Sequence, residues 1–301
     1  MSHRLRAILV LVILSSTVVI ARQSHVRVDV RLVNVLAIVT DTNGRYVDGL
    51  NKDDFILQED GAVQEIAHFS HDLDVPVSVG IVFDTSGSMQ NKLRTAVAAV
   101  DRFVRTIHPE DDIFLMTFAN GVDLRQDFTD NRESLSRALR GISATGATSL
   151  YDALDQGLDK IKSGRHRKRA ILLLTDGEDN GSTATYGEVL QRIRESELVV
   201  YTLGISPATN GGPKRRDSVD MNVLQSLASA SGGRAFLLSD ILVGTSGTQT
   251  ERILTLIAEE LRSQYTLAFY PKHPDDGQFH SLKIRTRAGL VARTRPGYVA
   301  R

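Results

Sequence analysis

Two short runs of almost wholly apolar residues, 77–83 and 170–174, constrain the fold of this chain more than any other feature. Such runs are typical of strands that are buried on both faces of a sheet. Between and after them, apolar residues recur at helical spacing, as at Leu93, Val97 and Val100. Strands that alternate with helices in this way imply right-handed crossovers. We therefore predict an α/β fold over residues 75–262, with a doubly wound, mostly parallel sheet.

The stretches on either side of this α/β segment are rich in β signals. Apolar and polar residues alternate over residues 26–39, with a change of phase at Val33, and two short strands are predicted at 55–58 and 63–69. Since about three strands are marginal for an independent sheet, we expect the two ends of the chain to pair. Residues 25–72 and 263–301 would then form one β-sandwich that carries the α/β domain as an insertion. Two separate small β appendages are the alternative. Within residues 263–301, three strands are predicted, at 265–270, 281–286 and 290–293.

Residues 1–21 resemble an export signal peptide. A basic start with Arg4 and Arg6 precedes an apolar run over residues 7–20, and Ala21 lies at the usual cleavage position. The run is short for a membrane span, which needs about 20 residues. A retained N-terminal anchor is the alternative. We expect an exported protein, in the periplasm, in the cell envelope or secreted, with membrane contact only through this segment.

The composition excludes several classes of function. Lys plus Arg equals Asp plus Glu at 36 each, so no overall field favours nucleic acid as a partner. The chain has no cysteine, which excludes disulfides, thiol catalysis and a lipid-attachment cysteine. It also lacks the nucleophile elbow, the zinc-protease helix, the phosphate loop and the dinucleotide-binding glycine pattern. We therefore expect a protein that is not an enzyme.

Oxygen-bearing side chains follow the ends of both predicted central strands. Asp84, Ser86 and Ser88 come directly after the first strand, and Asp176 follows the second. Thr148 lies in a glycine-containing loop that opens a predicted helix. Because strand ends converge on one edge of a doubly wound sheet, we expect these five side chains to surround one ion. Hard oxygen donors suit Mg²⁺, Mn²⁺ or Ca²⁺ rather than zinc or copper.

Each of these elements has a structural interpretation when it is taken alone. The Ser-Gly-Ser segment is compatible with ordinary turn chemistry, and Thr148 with a helix cap. Asp176 followed by glycine is compatible with a turn that ends a strand. The nearby Glu178 and Asp179 are interpreted as exposed loop residues in preference to outer acceptors around the ion. The metal site is predicted because the elements occur together and in this order.

The order Asp-x-Ser-x-Ser, a loop Thr and a strand-end Asp resembles the metal-ion-dependent adhesion site (MIDAS) of the von Willebrand factor type A (VWA) domain family. All five positions match, and the resemblance covers about residues 75–262. It implies a Rossmann-like fold with bound Mg²⁺, or alternatively Mn²⁺ or Ca²⁺, and aspartates that act partly through water. It also implies that a Glu or Asp of a partner protein completes the metal's shell. The flanking segments resemble, more weakly, exported bacterial proteins that carry a type A domain between β-rich ends.

The expected function is therefore metal-dependent protein binding or adhesion, and two alternatives remain. One is a structural protein of the cell envelope with a vestigial site. The other is a metal-assisted hydrolase that uses Asp84 near the ion, which would need a general base. No histidine lies near Asp84, Thr148 or Asp176 in the sequence, so the hydrolase is the least favoured alternative.

Overall fold

A computed structural model gives the fold from Leu32 onward. The predicted signal segment and the part of the predicted first strand before Leu32 lie outside the described residues. No helix in the described ranges combines the length and the apolar character that a membrane span requires. The structure describes residues 32–71, 73, 75–206, 219–238, 247–273, 275–287 and 289–300.

Strands and helices alternate through the middle of the chain, and short strands dominate the parts on either side. In chain order the strands are β1 (Val33–Thr40), β2 (Phe55–Glu59), β3 (Ala62–Gln64), β4 (His68–Ser70), β5 (Val77–Asp84), β6 (Asp112–Phe118), β7 (Val122–Thr129), β8 (Lys168–Thr175), β9 (Val199–Ile205), β10 (Ala235–Leu238), β11 (Gln264–Phe269), β12 (Phe279–Thr286), β13 (Val291–Arg293) and β14 (Gly297–Val299). The helices are α1 (Leu93–Thr106), α2 (Arg132–Ala138), α3 (Leu150–Lys160), α4 (Tyr186–Glu195), α5 (Met221–Ala230) and α6 (Gly247–Arg262).

Six strands form the central sheet, in the order β10-β9-β8-β5-β6-β7. Neighbouring strands are parallel except for β6 and β7, which are antiparallel. β5 and β6 are buried along their whole length, and close packing explains the glycine within β5. A Cβ at Gly80 would lie 2.4 Å from the ring of Phe114. The prediction of a doubly wound, mostly parallel α/β sheet is confirmed.

Helices cover both faces of this sheet because each presents an apolar stripe to it. On one face, α1 and α6 pack through residues such as Phe103 and Ile257, with α2 beside them. On the other face, α3, α4 and α5 pack through residues such as Leu154 and Leu224. With both faces covered, the carboxyl edge of the strands is left to the connecting loops.

Two four-stranded sheets lie outside the α/β domain, in the orders β13-β1-β11-β4 and β14-β12-β2-β3. β1 is antiparallel to β11, with Val35 opposite Leu267, and β2 is antiparallel to β12, with Leu57 opposite Ile284. Apolar side chains of both sheets form one common core. Strands from before and after the α/β domain therefore build a single two-sheet unit, as the predicted fold class has it.

The structure differs from the sequence prediction in two strands and one boundary. β7 and β14 were not predicted. β7 is an edge strand without a fully buried side chain. Its alternation of Val122, Leu124 and Phe128 with polar residues is interrupted at Gln126, so the apolar signal is weak. The run over residues 63–69 is divided into β3 and β4, which pair with β2 and β11 in different sheets. Gln64 and Ile66 are both buried, so the alternation continues across this break and hides it.

A fully buried carboxylate joins α6 to the central sheet and to the flanking sheets. Glu260 accepts hydrogen bonds from Tyr201 at 2.8 Å and from Tyr46 at 2.9 Å. It also forms an ion pair with Arg293 of β13. Burial, with the charge of Glu260 beside the phenol, raises the pKa of Tyr46. The carboxylate is thus satisfied only when α6, β9 and the flanking strands are all in place.

We predict that Glu260→Ala lowers the free energy of unfolding by about 3–5 kcal/mol, because the partly buried Arg293 guanidinium and the hydroxyls of Tyr201 and Tyr46 all lose their common acceptor. The control is Glu259→Ala, which removes an exposed carboxylate from the next position of the same helix and should change the stability by less than about 0.5 kcal/mol. Denaturant unfolding measures both. Equal losses for the two variants would contradict the assignment.

A pair of stacked histidines ties the loop before β12 to the turn after β2. The rings of His273 and His280 lie 3.7 Å apart and nearly parallel. His280 contacts Asp60 through Nδ1 at 2.7 Å and Asp276 through Nε2 at 3.2 Å, and His273 contacts Glu59 at 3.1 Å. Ligand atoms of Glu59 and the two histidines lie within 4.8 Å of one another. Parallel rings cannot point their nitrogens at one centre, so we interpret the cluster as a hydrogen-bonded lock.

The lock predicts a pH dependence of stability. Burial lowers the pKa of His280, but its hydrogen bonds with Asp60 and Asp276 outweigh this and hold the pKa above the ordinary 6.5. Its contribution is therefore complete below the unfolded pKa and is lost as the pH rises through the folded pKa. As the pH rises from about 6, just below the unfolded pKa of about 6.5, through the folded pKa, the stability difference between wild type and His280→Gln should shrink. His68→Gln, at an exposed position, is the control. A difference that stays constant over this interval would contradict the prediction.

Candidate metal centre

The first predicted ligand, Asp84, is the last residue of β5 and is fully buried at the carboxyl edge of the sheet. Its Oδ1 accepts a hydrogen bond from the amide of Ser86 at 2.8 Å, and its Oδ2 accepts one from the hydroxyl of Thr175 at 2.6 Å. Burial raises the pKa of Asp84 to about 6, although both hydrogen bonds work in the opposite direction. The carboxylate is therefore oriented by the protein before any ligand binds.

The two serines lie in the turn that follows. Residues Gly87–Met89 form a single 3-10 turn directly after Ser86. The Oγ atoms of Ser86 and Ser88 lie 3.1 Å apart. Ser86 is fully buried, whereas Ser88 is partly exposed. The turn thus holds two neighbouring hydroxyl oxygens, one in the interior and one nearer the surface.

The loop that carries Thr148 is hydrogen-bonded to this turn and to the loop after β8. The amide of Gly87 donates to the carbonyl of Gly146 at 3.0 Å. The amide of Thr148 donates to the side-chain oxygen of Asn180 at 2.8 Å, and the amide of Asn180 donates back to the carbonyl of Thr148 at 3.0 Å. Thr148 is 2% exposed. Its position is therefore fixed from both sides.

Asp176 follows β8, the neighbour of β5 in the sheet, and is fully buried. Its Oδ2 accepts a hydrogen bond from the ammonium of Lys92 at 2.9 Å, and its Oδ1 accepts one from the amide of Glu178 at 3.3 Å. The residue before it, Thr175, binds Asp84. The structure thus brings the three predicted segments together at one edge of the sheet. They contribute Asp84, Ser86, Ser88, Thr148 and Asp176.

Sequence reasoning missed four residues that organise this edge. Thr175 and Lys92 hold the two aspartates, and Asn180 holds the threonine loop. Asp179, which the sequence analysis interprets as an exposed loop residue, accepts the amide of Leu150 at 2.8 Å through its carboxylate and so caps α3. Residues of these types are common in loops and at strand ends, so only their contacts in the structure distinguish these four.

The donor set at this edge fits a hard divalent cation. It consists of hydroxyl and carboxylate oxygens, which Mg²⁺, Mn²⁺ and Ca²⁺ prefer. Ser86, Ser88 and Thr148 supply neutral oxygens, and Asp84 and Asp176 supply the negative charge. The loops that carry these side chains are hydrogen-bonded to one another, so the oxygens do not have to be gathered from separate mobile segments.

Residues 79–178 match the family model of the von Willebrand factor type A domain. The chain carries a VWA domain. All five predicted ligand positions lie inside the matched range. The central sheet and its helices therefore form the fold that the motif order implies.

Several solved structures share a fold with this chain. They include a von Willebrand factor type A protein from Catenulispora acidiphila, with a TM-score of 0.51, 14% identity and coverage of 82% of this chain and 73% of that chain. An aerotolerance-related membrane protein from Bacteroides fragilis has a TM-score of 0.50, 19% identity and coverage of 62% and 98%. Proximal thread matrix protein 1 of the mussel byssus has a TM-score of 0.50, 18% identity and coverage of 68% and 51%. Because the sequence identities are this low, these comparisons show only that the folds are similar. A comparison with curated proteins finds no match.

We predict that Thr175→Val lowers the free energy of unfolding of the VWA domain by about 1.5–3 kcal/mol near pH 7.5, since the acceptor left unpaired is a buried carboxylate. Thr202→Val is the matched control. Its hydroxyl is equally buried on the next strand and donates to the carbonyl of Leu224, so the expected loss is about 0.5–1.5 kcal/mol. Urea unfolding in the presence of a chelator compares them. A loss for Thr175→Val no larger than the control would show that the contact with Asp84 does not stabilise the edge.

Proposed function

We propose that the VWA domain is a metal-dependent protein-binding module. In this proposal Asp84, Ser86, Ser88, Thr148 and Asp176 hold a divalent cation of the MIDAS type, Mg²⁺ in the first place, with Mn²⁺ or Ca²⁺ as alternatives. A carboxylate from Asp or Glu of a partner protein then completes the coordination shell. The observation that carries the proposal is the pair of Ser86 and Ser88 hydroxyls, 3.1 Å apart beside two buried aspartates.

The charge balance of the donor set supports recognition of an acidic group. Three of the five donors are neutral hydroxyls, so the direct ligands of a bound divalent cation would offset only part of its charge where the aspartates act through water. Both aspartates already accept hydrogen bonds from the protein, which leaves them less free to surround the ion directly. Mg²⁺ retains waters in such sites, and an incoming carboxylate replaces one of them. The proposal assigns binding to this site and no reaction.

We propose further that the protein acts outside the cytoplasm, as an exported protein in the periplasm, in the cell envelope or in the medium. The support for this is the export-like character of residues 1–21. The absence of cysteine throughout the chain also means that an oxidising compartment leaves its covalent structure unchanged. A partner would accordingly be a protein of the envelope or the surroundings.

The proposal predicts that Thr148→Ala weakens the binding of Mg²⁺ and Mn²⁺ by about tenfold or more, which corresponds to about 1.4 kcal/mol. The control is Thr145→Ala in the same loop, where the side chain is exposed and the affinity should stay within about twofold. Isothermal titration calorimetry on the full chain gives both values. Absence of any Mg²⁺ or Mn²⁺ uptake by the wild type would overturn the proposal.

The proposal also predicts metal-dependent capture of a partner. Immobilised wild type and Thr145→Ala should retain the same envelope protein in Mg²⁺ and release it in chelator, whereas Thr148→Ala should not retain it. Retention that is equal for all three proteins and insensitive to chelator would favour a structural role with a vestigial site.

A further inference from the structure

Lys92 places a full positive charge inside the candidate metal centre. Its side chain is 0% exposed, and its Nζ lies 2.9 Å from Oδ2 of Asp176, whose side chain is 1% exposed. Lysine is almost never fully buried unless it is paired. The pair is therefore a built feature of this edge of the sheet and not a chance surface contact.

The backbone fixes where this ammonium lies. Lys92 is the residue before α1, and its amide donates to the carbonyl of Met89 at 2.9 Å. Its own carbonyl accepts the amide of Ala96 at 3.0 Å, the first turn of the helix. Met89 closes the 3-10 turn that carries Ser88 and is itself fully buried. The same short segment thus presents the serine hydroxyls and directs the lysine back towards Asp176.

The ion pair changes the net charge of the centre. Asp84 and Asp176 carry two negative charges when ionised, and Lys92 returns one positive charge. Without a metal the buried centre has a net charge of −1 rather than −2, and with a divalent cation it has +1 rather than 0. The charges of Lys92 and Asp176, 2.9 Å apart and buried, interact strongly because little water screens them. Lys92 therefore acts on the metal-free and the metal-bound states in opposite directions.

We propose that Lys92 is a built-in counter-cation that competes with the divalent metal for Asp176 and leaves the loaded centre positively charged, so that metal binding and binding of a carboxylate reinforce each other. The inference rests on the proposed function, since it concerns the same metal site. It assigns Lys92 a positioning and charge-setting role, not that of a metal ligand. Metal alone binds weakly in this scheme, and metal together with an acidic group binds tightly.

The first experiment measures Mg²⁺ and Mn²⁺ affinity by calorimetry near pH 7.5 for the full chain. Lys92→Met and Lys92→Gln both remove the charge. Gln also keeps a hydrogen-bond donor, so the second variant serves if the first does not fold. We expect either variant to bind the metal about tenfold or more tightly than the wild type. Lys162→Met removes an equal charge from an exposed position, 69% exposed beside Asp159, and should leave the affinity unchanged. An affinity of the Lys92 variants equal to or below that of the wild type would overturn the inference.

A second readout is stability without metal. In chelator, Lys92→Gln should be less stable than the wild type because Asp176 loses its counter-charge, and Mg²⁺ should restore more stability to the variant than to the wild type. Lys92→Gln/Asp176→Asn removes both charges and should be more stable in chelator than Lys92→Gln alone. Equal stability of the single and double variants would overturn the ion-pair assignment.

The third readout is the coupling to a carboxylate, with acetate as the probe. Sodium acetate, compared with sodium chloride at the same ionic strength, should tighten Mg²⁺ binding to the wild type several-fold more than to Lys92→Gln. Equal coupling in both proteins would overturn the inference while leaving the metal site intact. If the wild type takes up no metal at all, the proposed function itself fails, and this outcome is distinct from metal uptake that is insensitive to Lys92.

Discussion

The pairing of β5 with β8 buries two carboxylates side by side at the edge of the sheet, and the surrounding loops must compensate their negative charge. Phe83 is paired with Leu174 in that register, so Asp84 and Asp176 emerge close together at the end of the sheet. Buried negative charges are costly unless donors or cations compensate them. Thr175, the amide of Ser86 and Lys92 supply part of that compensation. The proposed divalent cation would add two further positive charges.

The attachment of the α/β domain to the flanking sheets rests on a second buried charge. Only Ser263 separates α6 from β11, so the last helix of the domain runs directly into the sandwich core. Glu260 near the end of that helix binds groups from β9 and β13. Because α6 belongs to the α/β domain and also leads directly into β11, a shift of α6 would displace the flanking strands.

Some parts of the structure could be predicted from the sequence and others could not, for physical reasons. The cores of β5 and β8, residues 77–83 and 170–174, are almost wholly apolar. Such runs are typical of buried strands, so the sheet and the strand-end aspartates were predictable. β7 lies at an edge without a fully buried side chain, and only three of its eight residues are apolar, so its sequence is a weak strand signal. Lys92 stands at a helix start, where lysine usually faces solvent, and its burial depends on Asp176, 84 positions away. Thr175 likewise matters only through its contact with Asp84.

We propose that hydroxyl oxygens from two separate loops meet at one divalent cation beside Asp84 and Asp176. A crystal structure of the full chain grown with Mn²⁺ tests it most directly, because the anomalous signal locates the ion independently of any assumption about its ligands. We expect one strong peak bonded to the hydroxyls of Ser86, Ser88 and Thr148. Well-defined loops with no peak there, or a peak at another group of side chains, would contradict it.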